Sequence, residues 1–261
     1  MFDRIKTALI NLVHRVFRVK IMTTIISEPT FLPPAAEPVA TYCQQLQLLK
    51  QLKGIEALRR WRVSRARTFK CKSASQHEYV SATIIDPENK THHLVFERLR
   101  GDPENSLSPI TETTHPLTRL SPSGSNSSLS SLSSASFSAY AANDRIVPVG
   151  ASGKKKEEDV EVYDLVFPEG FCLHELAILA FMVHQTNSSY LLMTNNCYYY
   201  AGTIMKILEK KHNISNAVKG ANAGRWCFIN IFGGAEFEKC RPLLESVEKA
   251  IREFVSFFFS A

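Results

Sequence analysis

Between Ser121 and Ser138, eleven of eighteen residues are serine, and Pro, Thr, Asn and Gly crowd the flanks. A stretch this poor in apolar side chains cannot offset the entropy lost on ordering its backbone. It predicts a disordered insertion at about 101–158, running out through the charged patch Lys154-Lys-Lys-Glu-Glu-Asp159. Whatever folds must therefore be assembled from the blocks on either side. The material suffices, because 44% of the 261 residues are hydrophobic and a sizeable core can be buried. The longest clean apolar run, Leu176 to Val183, is eight residues, far short of the roughly 18–20 needed to span a bilayer. No transmembrane segment is expected.

Residues 2–19 show helical periodicity, with Phe2, Ile5, Leu9, Leu12, Val13 and Val16 on one face. A basic amphipathic helix over 1–21 suits peripheral membrane contact through 2–20 or a mitochondrial presequence. It suits equally an ordinary packed helix, or a start ahead of Met22. Pro29, Pro33, Pro34 and Pro38 mark a Pro-rich linker over 22–38, which leaves 39–261 as the domain proper. There a helical pattern runs from Val39 towards Arg60, with Gly54 as a break. The period then changes. Glu78–Asp86 and His92–Leu99 are β-rich and flank turn chemistry at 87–91, which predicts a β-hairpin. In that register Arg98 falls opposite Tyr79. After the insertion come a strand at Val160–Phe167, a turn at Pro168-Glu-Gly170 and a helix from His174 to Gln185. A helix from Cys197 to Lys211, a strand at Gly224–Phe232 and a helix starting near Pro242 follow. The expected class is α+β: a small antiparallel sheet packed with helices.

The net charge of +6 is unevenly spread. Residues 59–72 hold seven basic side chains and no acid, and residues 1–20 hold five against Asp3, so the remainder is net acidic. This argues against a nucleic-acid-binding surface over the whole domain. It leaves two short segments to meet an anionic partner. The run 59–72 reads as a solvated helix end leading into a strand; Trp61 and Phe69 inside it leave phosphate contact with stacking as the alternative. The six cysteines form no CxxC and no zinc-finger spacing. No stretch has the apolar core and small-residue cleavage site of a signal peptide. Reduced thiols in the cytoplasm are expected, with the mitochondrion as the alternative raised by the N-terminal segment. No GxGxxG, GxxxxGK[ST] or HExxH is present, so no cofactor and no metal are expected.

The most informative segment is Tyr190-Leu-Leu-Met-Thr-Asn-Asn-Cys-Tyr-Tyr-Tyr-Ala-Gly-Thr-Ile204. Asn195 or Asn196 can cap a helix, which puts Cys197 in its first turn. Free amides and the helix dipole there favour a thiolate, and the same amides suit an oxyanion. A cysteine nucleophile also needs a histidine base from elsewhere in the chain. His184 is a reserve for that role; His174 reads as a packing or cap residue.

The box Tyr-x-x-x-Thr-x-Asn-Cys-Tyr-x-Tyr-Ala resembles the Asn-Cys-x-x-Phe box of permuted papain-like proteins. These include lecithin:retinol acyltransferase-like and NlpC-type thiol enzymes and PPPDE-type deubiquitinating peptidases. In such proteins a histidine opens a strand well upstream of the cysteine, and His77 stands just before Glu78–Asp86. The resemblance implies a permuted papain-like fold with Cys197 as nucleophile and His77 as base. It offers His92 or His93 as counterparts of a second histidine on the next strand; with Arg98 these are the candidates for a third member. The box is also similar to one in proteins of mushroom-type fungi, where a QCYWFA-like segment precedes a helix and a Gly-x-Trp strand follows, as Gly224-Arg-Trp226 does here. That similarity implies a fold relationship and no activity.

Two functions are expected. One is a cysteine-dependent hydrolase or acyltransferase acting on an amide, ester or thioester carbonyl of a protein or acyl substrate. The other is a non-catalytic interaction or scaffold protein of the same fold, whose basic N-terminal segments contact a membrane surface or partner.

Overall fold

The computed structural model describes residues 30–72, 77–101, 140–191, 196–215, 217–220, 225–226, 229–230 and 237–256. The N-terminal basic segment and the serine tract lie outside the described residues. Helix α1 (Val39–Lys53) buries Val39, Tyr42, Leu46 and Leu49 along one stripe. It ends at Gly54, whose φ of 81° lies where a side chain is disfavoured. Helix α2 (Ile55–Arg59) follows, and the chain then turns into the sheet.

The strands are β1 (Glu37–Pro38), β2 (Arg62–Lys70), β3 (Glu78–Ile85), β4 (Thr91–Arg100), β5 (Tyr140–Val149), β6 (Val160–Cys172), β7 (Ser189–Tyr190), β8 (Val218–Lys219), β9 (Arg225–Trp226) and β10 (Ile229–Asn230). The main sheet runs β1-β5-β4-β3-β2-β6-β8, with β7 on β5 and β9–β10 paired apart. Every pairing is antiparallel. Helices α3 (Leu173–Thr186), α4 (Cys197–Lys211) and α5 (Phe237–Ser256) complete the mixed α/β fold.

Strand alternation sorts the side chains. Val80, Ala82, Ile84, Leu94, Phe96 and Ile146 join the α1, α3 and α4 side chains in the main core. Phe69, Tyr79 and Val95 point to the other face and form a second, smaller core with Cys71, Val147 and Val149. The segment 150–159 covers that small core: Lys154 and Lys155 lie over the rings of Phe69 and Tyr79, and the Tyr79 hydroxyl donates to Asp159 Oδ2 at 2.7 Å.

Several expectations are corrected. Residues 140–158, placed in the disordered insertion, form β5 and the ordered segment after it. Their order comes from pairing with β4 and from buried ion pairs, which serine counting does not register. The predicted hairpin forms, but its register runs Val80↔Phe96 to Ile85↔Thr91. Continued to the strand ends, it sets Glu97, not Arg98, opposite Tyr79. The cause is Asp86, read as a strand residue but engaged in the turn: its Oδ1 accepts from the amides of Glu88 and Lys90, both at 2.8 Å. A slip of one residue exchanges the two faces. The basic run 59–72 supplies β2, where Arg65 pairs with Asp164 at 2.8 Å and Arg67 with Glu161 at 3.5 Å. The predicted turn at Pro168-Glu-Gly170 lies inside β6 at a bulge against β2. The last helix begins at Phe237, and Pro242 lies within it.

Between β4 and β5 the cross-strand pairs Glu97↔Arg145 and Arg98↔Asp144 carry opposite charges on opposite faces. On the helix side Arg98 grips Asp144 with two bonds of 2.7 and 2.6 Å, both side chains fully buried, beneath the rings of Tyr199 and Tyr200. Removing one partner of such a pair strands a buried charge. Arg98→Ala should therefore lower unfolding free energy by about 3–5 kcal/mol in urea denaturation. The double variant Arg98→Met/Asp144→Leu should lose less than the single one.

Candidate active site

The site is assembled by three elements. Asn196, the N-cap of α4, is buried and accepts from the Tyr199 amide at 3.1 Å through Oδ1. This fixes Cys197 as the first helical residue. As first-turn residues, Cys197 and Tyr198 direct their amides out of the N-terminal end of the helix, the side from which an oxyanion is bound at a helix start. Buried Tyr200, Ala201, Ile204, Met205 and Leu208 dock α4 on the sheet. Asn195 lies outside the described residues.

His77 enters from the start of β3. Its carbonyl accepts from the Cys71 amide at 2.8 Å, extending the β2–β3 ladder by one pair. The imidazole lies between two partners. Nε2 meets Glu97 Oε2 at 2.9 Å, and the ring also hydrogen-bonds to Cys197. Burial by itself would lower the His77 pKa, but hydrogen bonds to Cys197 and Glu97, with their charges, raise it to about 9.

Glu97 is fully buried, and burial would raise its pKa; hydrogen bonds from His77 and Lys155 instead bring it down to about 2. Its second oxygen receives Arg145 Nε at 2.8 Å, and Lys155 Nζ reaches Oε2 at 2.7 Å. A carboxylate fixed by three donors fixes the imidazole in turn. On its other side the Cys197 sulfur receives the hydroxyl of Tyr190, whose pKa is pushed up to about 12, first by burial and then by Cys197.

Cys197 is only 5% exposed, but its polar neighbours are an imidazole and a phenol. His77 keeps 15% of its side chain in solvent. The structure thus brings together His77, Asn196 and Cys197 of the sequence-derived candidates. The three proposed third members lie elsewhere. His92 sits at the hairpin tip, bonded to Asp86 at 2.9 Å and beside Trp61. His93 is its neighbour, 3.3 Å from the Thr83 hydroxyl. Both are about 20 Å along β3 from His77, at about 3.3 Å per residue. Arg98 points to the helix face and is committed to Asp144, which also holds His184 Nδ1 at 2.8 Å. Sequence reading missed Glu97, Lys155 and Tyr190. The correct hairpin register identifies Glu97. Lys155 is visible only once 150–159 is folded.

A second cluster, Cys172, His174 and Glu175 at the start of α3, has ligand atoms within 4.8 Å of one another. It is a poor place for a cation. Lys211 already pairs with Glu175, and burial together with the charges of Arg59, Lys211 and Lys50 lowers His174 to about 4. The positive end of α3 adds to the same field.

No protein-family profile, curated protein or solved structure matches the chain.

The His77 ring should titrate near pH 9 when followed by NMR of its ring protons, and Glu97→Gln should move the midpoint down. Because the folded value lies above the unfolded value of 6.5, this interaction stabilises the fold fully below about pH 6.5. The contribution is lost as pH rises through about 9. Chemical denaturation should show that loss in the wild type and much less of it in His77→Ala.

Proposed function

We propose that the protein is a cysteine-dependent hydrolase or acyltransferase acting on an amide, ester or thioester carbonyl. The observation that carries this reading is the line Cys197–His77–Glu97, with the thiol on a helix start, the imidazole against it and a buried carboxylate behind the imidazole. Three such groups, drawn from a helix and two strands, have the nucleophile–base–orienter geometry of covalent catalysis. The chain order, with the histidine 120 residues ahead of the cysteine, supports a permuted papain-like arrangement.

Cys197, its thiol proton passed to His77, attacks the carbonyl carbon as the thiolate, and the carbonyl π electrons move to oxygen. The amides of Cys197 and Tyr198 receive that oxyanion. The intermediate collapses, the bond to the leaving nitrogen, oxygen or sulfur breaks, and His77 supplies its proton. A thioester on Cys197 remains. His77 then takes a proton from water or from a second acceptor, which attacks the thioester; the C–S bond breaks, and the Cys197 thiolate is returned with its proton on His77. Glu97 stays ionised throughout and keeps the ring aimed. Tyr190 holds the sulfur in place with its hydroxyl.

The test is turnover of aryl ester and thioester probes by the full chain. Cys197→Ala should abolish turnover, and His77→Ala should lower kcat/KM by about 10²–10⁴-fold. The wild-type rate should fall above about pH 9, where His77 loses the proton it gives the leaving group. Alkylation of Cys197 by iodoacetamide requires no such proton and should not fall there. Turnover that survives Cys197→Ala would take the chemistry away from this thiol, and a chain with no turnover and a thiol inert to alkylation would leave the interaction-scaffold reading in its place.

A further inference from the structure

The cations of β4, β5 and 150–159 that lie behind His77 or on the helix face are already committed. Arg98 is locked to Asp144, while Arg145 and Lys155 share Glu97. Arg100, the last residue of β4, is different. It is exposed, and its guanidinium lies 3.3 Å from the centroid of the Tyr140 ring; among the described residues no carboxylate pairs with it. Its position is set by backbone. The Gly101 amide donates to Ala141 O at 2.8 Å, and a Cβ on Gly101 would stand 2.7 Å from that same oxygen. Only glycine lets β4 stay zipped to β5 at this point. Tyr140 in turn pairs in register with Tyr190, whose hydroxyl reaches Cys197. A chain of neighbours therefore links the sulfur through Tyr190 and Tyr140 to a cation laid on an aromatic face. From the other side, Lys70 Nζ stands 5.3 Å over the ring of Tyr198, the residue after the nucleophile.

We propose that Arg100, held on Tyr140, determines specificity at this site by favouring carbonyl substrates that carry a carboxylate beside the scissile carbonyl. The inference rests on Cys197 being the nucleophile. A guanidinium on a ring face is held by its quadrupole and keeps its in-plane donors for a ligand. It offers a carboxylate two parallel bonds that a lysine cannot match.

The test begins without turnover. Iodoacetate and iodoacetamide both alkylate a thiolate by forming S–C and expelling iodide, and they differ in one negative charge. The rate at Cys197 is read for each reagent by peptide mass mapping of the full chain. His77 favours iodoacetate in every variant, so the comparison between variants is what counts. Arg100→Gln should lower the iodoacetate-to-iodoacetamide ratio about threefold and leave the iodoacetamide rate unchanged. Arg100→Lys should restore part of it, and about 0.5 M salt should compress the difference. Esters then locate the carboxylate. An aryl hemisuccinate carries it on the acyl side, an acetyl ester of hydroxybenzoate on the leaving side, and an aryl butyrate on neither. The preferred acid ester should lose its advantage over butyrate in Arg100→Gln. An unchanged alkylation ratio in Arg100→Gln overturns the inference and leaves the nucleophile standing. A Cys197 that neither reagent modifies sinks the nucleophile, and this inference with it.

Discussion

Two adjacent rungs of one ladder, Glu97↔Arg145 and Arg98↔Asp144, govern how this molecule is put together. Opposite charges face each other on consecutive residues, so one pair projects to the helix side of the sheet and the other to the far side. Neither acid retains solvent exposure in its side chain. Glu97, Arg98 and Asp144 are taken fully out of water while Arg145 keeps 33% of its side chain in it, and burying such charges costs more than their attraction alone returns unless each is also hydrogen-bonded. Here each acid gains further donors: His184 for Asp144, and His77 with Lys155 for Glu97. A slip of β5 by one residue would oppose like charges and reverse both faces. The charges therefore fix register as much as they add stability.

The site inherits its geometry from that register. Glu97 can serve His77 because it shares a sheet face with Tyr79 and the start of β3. Lys155 can serve Glu97 because 150–159 is folded over the small Phe69–Tyr79–Val95 core, with Tyr79 tied to Asp159. The nucleophile comes from the other side of the structure, on a helix whose start is fixed by one asparagine. The same pairing logic restrains the basic run of β2, where Arg65 and Arg67 are matched by Asp164 and Glu161 of β6. What reads as a bare cationic stretch is, once folded, partly neutralised by the neighbouring strand.

Local signals were legible wherever a few adjacent residues carried them. Gly54 as a helix break, the α4 cap and the hairpin's existence all follow from short-range chemistry. The hairpin register was misread because Asp86 could close the strand or build the turn, and only its bonds to Glu88 and Lys90 distinguish the two. That single residue hid Glu97 and promoted Arg98. The order of 140–158 was hidden for a different reason: polar residues there are stabilised by partners distant in the chain.

From the sequence alone came the α+β class, the absence of a bilayer-length apolar run, and the pairing of His77 with Cys197 as candidates. Each rests on periodicity, on capping chemistry, or on a resemblance carried by a short box. Tertiary structure alone decided which carboxylate stands behind the imidazole, which lysine and arginine hold it, and which phenol meets the sulfur. The three contacts to Glu97 join residues 20, 48 and 58 positions apart. No local pattern encodes such separations, because they depend on which face of a strand each side chain takes and on which strand lies beside it.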